Sequence, residues 1–279
     1  MQRCTCGKNL TWTLDDNGTL KISGIGKFDA DQNFSEVVAQ LIEAVIVEEG
    51  VTSIGDFAFS FCNTVKKISL PATVNEIGIG AFLFCENLRA IKIPAAVTEI
   101  RKSTFCGCWS LTEIELPENL RVLGENSFSN CASLTAIKIP TNVIELGCKV
   151  FSGCESLEAV TLPENLTTIG GNAFEGCESL TAIKIPASVV KLGENVFNLC
   201  SSLEKIFYAA NSGFEKILSA CNHAQLIPVD NSQTPAQMWH LDGDTLTIID
   251  ANKLKNLSHA ENSPWYDSRD IIKRIVITS

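Results

Sequence analysis

Val74-Asn75-Glu76-Ile77-Gly78-Ile79-Gly80-Ala81-Phe82-Leu83-Phe84-Cys85-Glu86-Asn87-Leu88-Arg89-Ala90-Ile91-Lys92-Ile93-Pro94-Ala95-Ala96 is the stretch whose reading decides the fold. It is 23 residues long, and seven units of that length run in register without a gap from Val51 to Asn211. They begin at Val51, Val74, Val97, Leu120, Val143, Leu166 and Val189. Position nine is always Phe: Phe59, Phe82, Phe105, Phe128, Phe151, Phe174 and Phe197. Position twelve is always Cys: Cys62, Cys85, Cys108, Cys131, Cys154, Cys177 and Cys200. Leu or Val holds position fifteen, Ile or Val position eighteen, and Pro position twenty-one in six units. A fixed period of this size means stacked supersecondary units, because one unit cannot bury its apolar face alone.

The column types describe one coil. Leu134 to Ile139 ends in a period-two alternation, a short strand with Ile137 and Ile139 facing inward. Val74 to Gly78 is a second apolar piece that crosses back on the opposite side, and Ala-Phe-x-x-Cys leaves room for one helical turn at most. Gly at position five, with Arg101 as the exception, is expected to supply the turn. A second period of 46 residues lies inside the first: Leu88–Pro94, Leu134–Pro140 and Leu180–Pro186 share one ending, while Leu116-Pro117-Glu118-Asn119 and Leu162-Pro163-Glu164-Asn165 share another. The array reads as grown by duplicated pairs.

Positions seventeen and nineteen flank the inward residue of the strand and are expected on its concave, solvent-facing side. They read Lys67, Ala90, Glu113, Ala136, Ala159, Ala182, Lys205 and Ser69, Lys92, Glu115, Lys138, Thr161, Lys184, Phe207. Lys67, Lys92, Glu113, Glu115, Lys138, Thr161, Lys184 and Lys205 are thus the candidate ligand-binding residues, a shallow groove of small residues flanked by lysines and able to accept an acidic partner. The competing reading is solubilising charge, with Glu115 paired to Lys92 and Lys138 for a few tenths of a kcal/mol each. Phe207 is expected to pack beneath the following segment. The cysteine column reads as buried reduced thiols beside the phenylalanines. Its members stand in a file about 5 Å apart, whereas zinc needs four convergent ligands.

The first fifty residues form a separate module. Leu10 to Ile22 alternates around Asp15-Asp16-Asn17-Gly18, a strong hairpin signal. Ser35 caps a short helix over Glu36 to Ile42, and Ala44-Val45-Ile46-Val47 is the strand of a "coil zero". The organisation expected is a cap at 1–50, an array at 51–229 (seven repeats over 51–211, then a cap at 212–229), and a second copy of the first module at 230–279. Phe214 to Ala220 reads as a short helix, Gln225 to Val229 as a strand, and Asp230 to Gln237 as a linker. In the second copy Trp239 to Ile248 matches Trp12 to Ile22, Ser263-Pro264-Trp265-Tyr266 precedes Ile271 to Ile277, and Ile275-Val276-Ile277 answers to Val45-Ile46-Val47. It is expected to be truncated where a further repeat tract would begin.

Composition excludes several classes. The chain of 279 residues carries 22 basic against 32 acidic residues, net −10, which opposes nucleic-acid binding. No apolar run is long enough to insert in a membrane, and Met1-Gln2-Arg3-Cys4-Thr5-Cys6 has no apolar stretch that would read as a signal peptide. No catalytic motif is present: His223, His240 and His259 are singletons, and Gly24-Ile25-Gly26 is an isolated fragment. Asp15-Asp16-Asn17-Gly18 reads as a turn, since Gly26 stands where a calcium loop needs its bidentate Glu. Cys4 and Cys6 lack a second ligand pair, so neither metal nor cofactor is expected.

At Ile77-Gly78, Ala81-Phe82, Cys85, Leu88, Ile91, Ile93 and Pro94 the unit resembles the BspA-like leucine-rich repeats, and the resemblance covers Val51 to Asn211. It implies an α/β fold: a right-handed β/α solenoid with a parallel concave sheet, here with hairpin-containing caps at both ends. It further implies an extracellular or cell-surface location and a non-catalytic role in adhesion or protein binding. The partner class so implied is a protein, such as a host extracellular-matrix or other surface protein, or a glycan. The alternative function is a structural spacer within a larger surface protein.

Overall fold

The computed structural model describes residues 2–28, 36–210, 212–214, 218, 224–229, 239–242, 245–248 and 274–277; for 2–6, 36 and everything from 239 onward it describes backbone alone. The chain forms two units, Met1–Pro228 and Val229–Ser279. The first is a solenoid of stacked 23-residue coils, numbered here one to seven from Val51, with coil zero before them.

Each coil has three sides. One carries a three-residue strand such as Ala90–Lys92, Glu113–Glu115 or Ala136–Lys138, with a buried or half-buried centre and exposed flanks. These strands run parallel from coil to coil and make the concave face. The second side is a two-residue strand, such as Thr168–Ile169, in a parallel ladder of its own. The third is a turn that presents Phe and Cys to the interior. Phe59 through Phe197 stand in single file, at most 1% exposed. Successive ring centroids lie 5.2–5.7 Å apart at interplanar angles of 1–23°. That is offset stacking, worth about 0.5–1.5 kcal/mol per pair beyond area burial.

On the third side the expected helical turn is replaced by a bond network between coils. In helix, peptide groups would bond along their own segment; here the N–H groups at positions seven, nine and eleven donate to the next coil. Phe57, Phe59 and Phe61 donate to the carbonyls of Ile79, Ala81 and Leu83 at 2.7–2.8 Å, and the triplet recurs at every junction to coil seven. Aiming these N–H groups down the stack requires left-handed backbone at positions seven and eleven. Every residue there has φ of 54–74°, Asn126, Asn172 and Asn195 among them. The turn conformation therefore resides in those columns and not at position five. Gly78, Gly124, Gly147, Gly170 and Gly193 are required for a different reason: a Cβ on Gly147 would lie 2.5 Å from the Glu125 nitrogen and 2.6 Å from the Gly124 carbonyl carbon. Where Arg101 replaces glycine the second-side ladder is interrupted, between Glu76–Ile77 and Glu99–Ile100. The Arg101 guanidinium bridges the gap, 2.9 Å from Glu76 and 2.6 Å from Glu99.

The 46-residue period has a structural counterpart on the concave side. Full three-residue ladders join coils zero to one, two to three, four to five and six to seven. Between coils one and two a single pair remains, Lys67 with Ala90. Between three and four, and between five and six, no ladder forms. The alternation follows position twenty, which is Ile93, Ile139 and Ile185 in coils two, four and six but Leu70, Leu116 and Leu162 in one, three and five. β-branched side chains suit an extended, pleated segment. Ile93 and Ile185 accordingly lengthen the ladder by donating to Glu115 and Phe207 at 2.9 and 2.8 Å.

At the N-terminal end Leu10–Leu14 and Thr19–Gly24 form the expected hairpin, and an unforeseen strand, Gln2–Gly7, pairs outside it. The turn is built by Asp15, whose Oδ1 accepts from the Asn17 and Thr19 amides at 2.9 and 2.8 Å, with Gly18 at φ 74°. The hairpin extends the concave sheet through Ala44–Val47. The helix is shorter than expected, Glu36–Ala39, and Ser35 lies outside the described residues. Phe28 closes the Phe file, tilted 45° against Phe59 at 5.9 Å. Beyond coil seven Gln225–Val229 continues the sheet. Of the helix expected at 214–220 only Phe214 and Leu218 are described, both buried and joined by a 2.8 Å backbone bond.

In the second unit Trp239–Asp242 pairs antiparallel with Thr245–Ile248, which pairs parallel with Arg274–Ile277. Leu246 opposes Ile275 and Ile248 opposes Ile277, as Leu20 opposes Val45 and Ile22 opposes Val47 in the first unit. The linker expected at 230–237 and Ser263 to Tyr266 lie outside the described residues.

Candidate functional site

The concave strands set positions seventeen and nineteen outward and eighteen inward, so each coil offers two side chains to solvent. Lys67, Lys92, Glu113, Glu115, Lys138, Thr161 and Lys184 are exposed, and Lys205 is half-buried. Ala90, Ala136 and Ala159 keep the floor between them shallow and Ala182 is half-buried. Phe207 is half-buried opposite Lys184.

The charges are not equivalent once their partners are known. Lys92 pairs with Glu115 at 2.6 Å, within the laddered coils two and three. Lys138 does not share Glu115; it turns across the unladdered seam between coils three and four to Glu118, at 2.8 Å. Lys184 repeats that contact across the seam between five and six, reaching Glu164 at 2.8 Å. The Lys138 hydrogen bond and charge hold the Glu118 carboxyl below its usual range. Each pair is exposed and contributes little by itself, but its position is specific: nineteen of the later coil to twenty-two of the earlier.

The seam between coils one and two lacks this contact, because position twenty-two of coil one is Ala72. A cleft of about 500 Å³ runs along the concave strands of coils one to three, lined by Lys66 to Leu70, Arg89 to Lys92, Glu113 and Glu115. Lys66 pairs with Glu43 at 2.8 Å. Among the described residues the Lys67 and Arg89 side chains have no ion-pair partner. Lys67 stands in register between Ala44 and Ala90, so no carboxylate is opposite it. Position sixteen shows the signal that would have found Arg89 in the sequence: it runs from Lys66 and Arg89 at one end to Glu158 and Glu204 towards the other.

The column thiols are buried, and Cys85, Cys108, Cys131, Cys154, Cys177 and Cys200 each donate to the carbonyl of a Phe in the coil before, at 2.9–3.3 Å. Burial pushes the Cys62 and Cys154 thiols up to about 12 and those of Cys85, Cys108, Cys131 and Cys177 upward too. Such thiols are neither nucleophiles nor ligands at neutral pH. Among the described residues no three His, Cys, Asp or Glu converge as a metal site. Cys4, Cys6 and all three histidines have no described side chain. On the turn side Phe57, Phe61 and Phe84 occupy left-handed positions, and Phe61 stacks on Phe84 at 5.3 Å. No helix among the described residues is long and apolar enough to cross a membrane.

The profile of the BspA type leucine rich repeat region matches residues 32–147 and 121–227, with six copies, well over half of the chain. Among solved structures the chain is similar to a leucine-rich repeat protein from Bacteroides ovatus, with 25% identity and a TM-score of 0.53 over 79% of this chain and 75% of that one. It is likewise similar to the leucine rich repeat protein of T. pallidum, with 25% identity and a TM-score of 0.56 over 78% of this chain and 96% of that one. No curated protein matches the sequence.

Proposed function

Because the chain belongs to the BspA-type leucine-rich repeat family, we propose that it is a non-catalytic binding module of the cell surface or extracellular space that engages a protein through the concave face of its solenoid. One observation carries this reading: the concave strands give the core one residue and solvent two, over a shallow floor of alanines edged by charge. A file of side chains maintained outward over seven coils is a display surface. Reaction chemistry would call for a cluster of perturbed titratable groups in a pocket, and the strongly raised groups here are thiols inside the stack.

The test is a surface plasmon resonance screen of the chain against immobilised extracellular-matrix proteins and glycans, repeated with Ala136→Arg/Ala182→Arg, which raises the concave floor. Protein binding by the parent chain that falls at least about tenfold in the variant supports the reading. Binding indifferent to the variant removes it. No binding at all would favour the second reading, a structural spacer, to which the uninterrupted turn-side bonding also lends itself.

A further inference from the structure

We propose that the seam between coils one and two receives a carboxylate side chain from a bound peptide, an Asp or Glu of the partner held by Lys67 and Arg89. The inference rests on the concave-face reading above and names its ligand chemistry.

The three open seams are the same joint seen three times. In each, the concave ladder is missing or reduced to one pair. In two of them the chain supplies its own anion at position twenty-two, 2.8 Å from the lysine at position nineteen of the following coil. In the first, that anion is replaced by the methyl group of Ala72. Lys92, the lysine in the corresponding place, is drawn to the far side by Glu115. The seam is therefore unclasped where its counterparts are clasped, and the cleft along its strands holds two cations with no ion-pair partner among the described residues, Lys67 in register with Ala90 and Arg89 next to it in the chain. This is a local inversion of sign in a chain of net charge −10. A guanidinium beside an ammonium in a groove is matched by a carboxylate, to which Arg donates two parallel bonds.

Charge also selects among anionic partners. Glu113 and Glu115 line the same cleft, and the chain as a whole repels polyanions. A sulfated glycan or a nucleic acid brings a row of negative charges against these carboxylates. A peptide brings separated acidic side chains, one of which can enter while its neighbours lie over the alanines at 90 and 136. Electrostatic complementarity of this kind fixes register and partner choice more than raw affinity.

The probe is a fluorescein-labelled decapeptide of alternating Gly and Glu, followed by fluorescence anisotropy at about 20 mM salt, where screening is weak. The matching Gly-Gln peptide and a heparin-derived hexasaccharide are run beside it. Ala90→Glu sets a carboxylate of the chain's own in register with Lys67 and next to Arg89, at an exposed position of the cleft. It should weaken the Glu peptide about tenfold or more, as should Lys67→Ala/Arg89→Ala. Ala90→Gln, of the same size as Ala90→Glu, should weaken it at least about threefold less. Equal binding to parent and Ala90→Glu overturns the proposal, as does equal affinity for the Gln peptide or tighter binding of the heparin fragment. Melting curves confirm that each variant is folded. If a protein captured in the screen is lost with Ala136→Arg/Ala182→Arg but kept with Ala90→Glu, the carboxylate assignment fails alone. If neither variant affects capture, the concave-face reading fails with it.

Discussion

Replacing Phe128 by Ala tests whether the file of rings, and not the concave ladder, holds the array together. Phe128 is fully buried in the middle of the stack, between Phe105 at 5.4 Å and Phe151 at 5.6 Å. Truncating a buried Phe costs about 3–5 kcal/mol through lost transfer energy and the cavity left behind. Here the backbone amide of Phe128 is fixed to the Val150 carbonyl at 2.9 Å and that of Phe151 to Ala173 at 2.8 Å. The neighbouring coils therefore cannot settle into the gap, and the upper end of the range is expected. Phe197, stacked on Phe174 alone among the phenylalanines of the file, should cost less by about one stacking contact, some 0.5–1.5 kcal/mol. Urea unfolding followed by far-ultraviolet circular dichroism measures both, and an unchanged slope with denaturant shows that the array still melts as one unit. A loss below about 1.5 kcal/mol for Phe128→Ala, or a larger loss for Phe197→Ala, refutes the reasoning.

Gly147→Ala should destabilise by about 2 kcal/mol or more in the same assay, because the added methyl meets backbone of the preceding coil that cannot rotate away; a neutral result would mean the coils can separate freely. Leu199→Asn should stabilise by about 1 kcal/mol, since Leu199 sits at φ 58° while 67% exposed, and Asn tolerates that backbone better; a lower melting temperature contradicts this. The raised thiols make stability depend on alkaline pH: the folded state holds those protons more tightly than the unfolded one. Their contribution is thus complete below the ordinary thiol value of 9.0 and is lost as pH climbs towards about 12. Unfolding free energy should fall between about pH 9 and pH 12, less steeply in Cys154→Ala. Iodoacetamide at neutral pH should label exposed Cys148 before any column cysteine, as peptide mass spectrometry would show.

The phenylalanine and cysteine columns were legible because they are invariant in type, and an invariant apolar residue at a fixed period has one place to go. The hairpin at Asp15 to Gly18 was legible because turn chemistry is local. The left-handed columns were not, since Phe57, Gly80, Ser103, Asn126 and Lys149 share a backbone angle but no polarity. Asn and Gly recurring at positions seven and eleven were the available signal. The strand Gln2–Gly7 has only Cys4 and Cys6 as alternating apolar residues to announce it. Position five was noticed for the wrong reason: glycine there answers to a neighbour 23 residues away, which no local reading of turn propensity detects. At the candidate site the outward columns followed from strand alternation, but Glu118 and Glu164, the actual partners of Lys138 and Lys184, lie outside those columns. The special character of Lys67 and Arg89 emerges only when every other cation of the cleft has been assigned its carboxylate.

The turn side carries its three bonds at every junction from coil one to coil seven, while the concave side is joined by full ladders only within pairs. A rod built this way does not bend equally in all directions. Tension across the turn side must break three hydrogen bonds at each junction, whereas the concave strands at the seams between coils three and four and between five and six are joined by an exposed lysine–glutamate pair and no ladder. The curvature of the inner surface can therefore adjust to an object pressed into it, in increments of two coils, with the aromatic spine acting as the backing of the hinge.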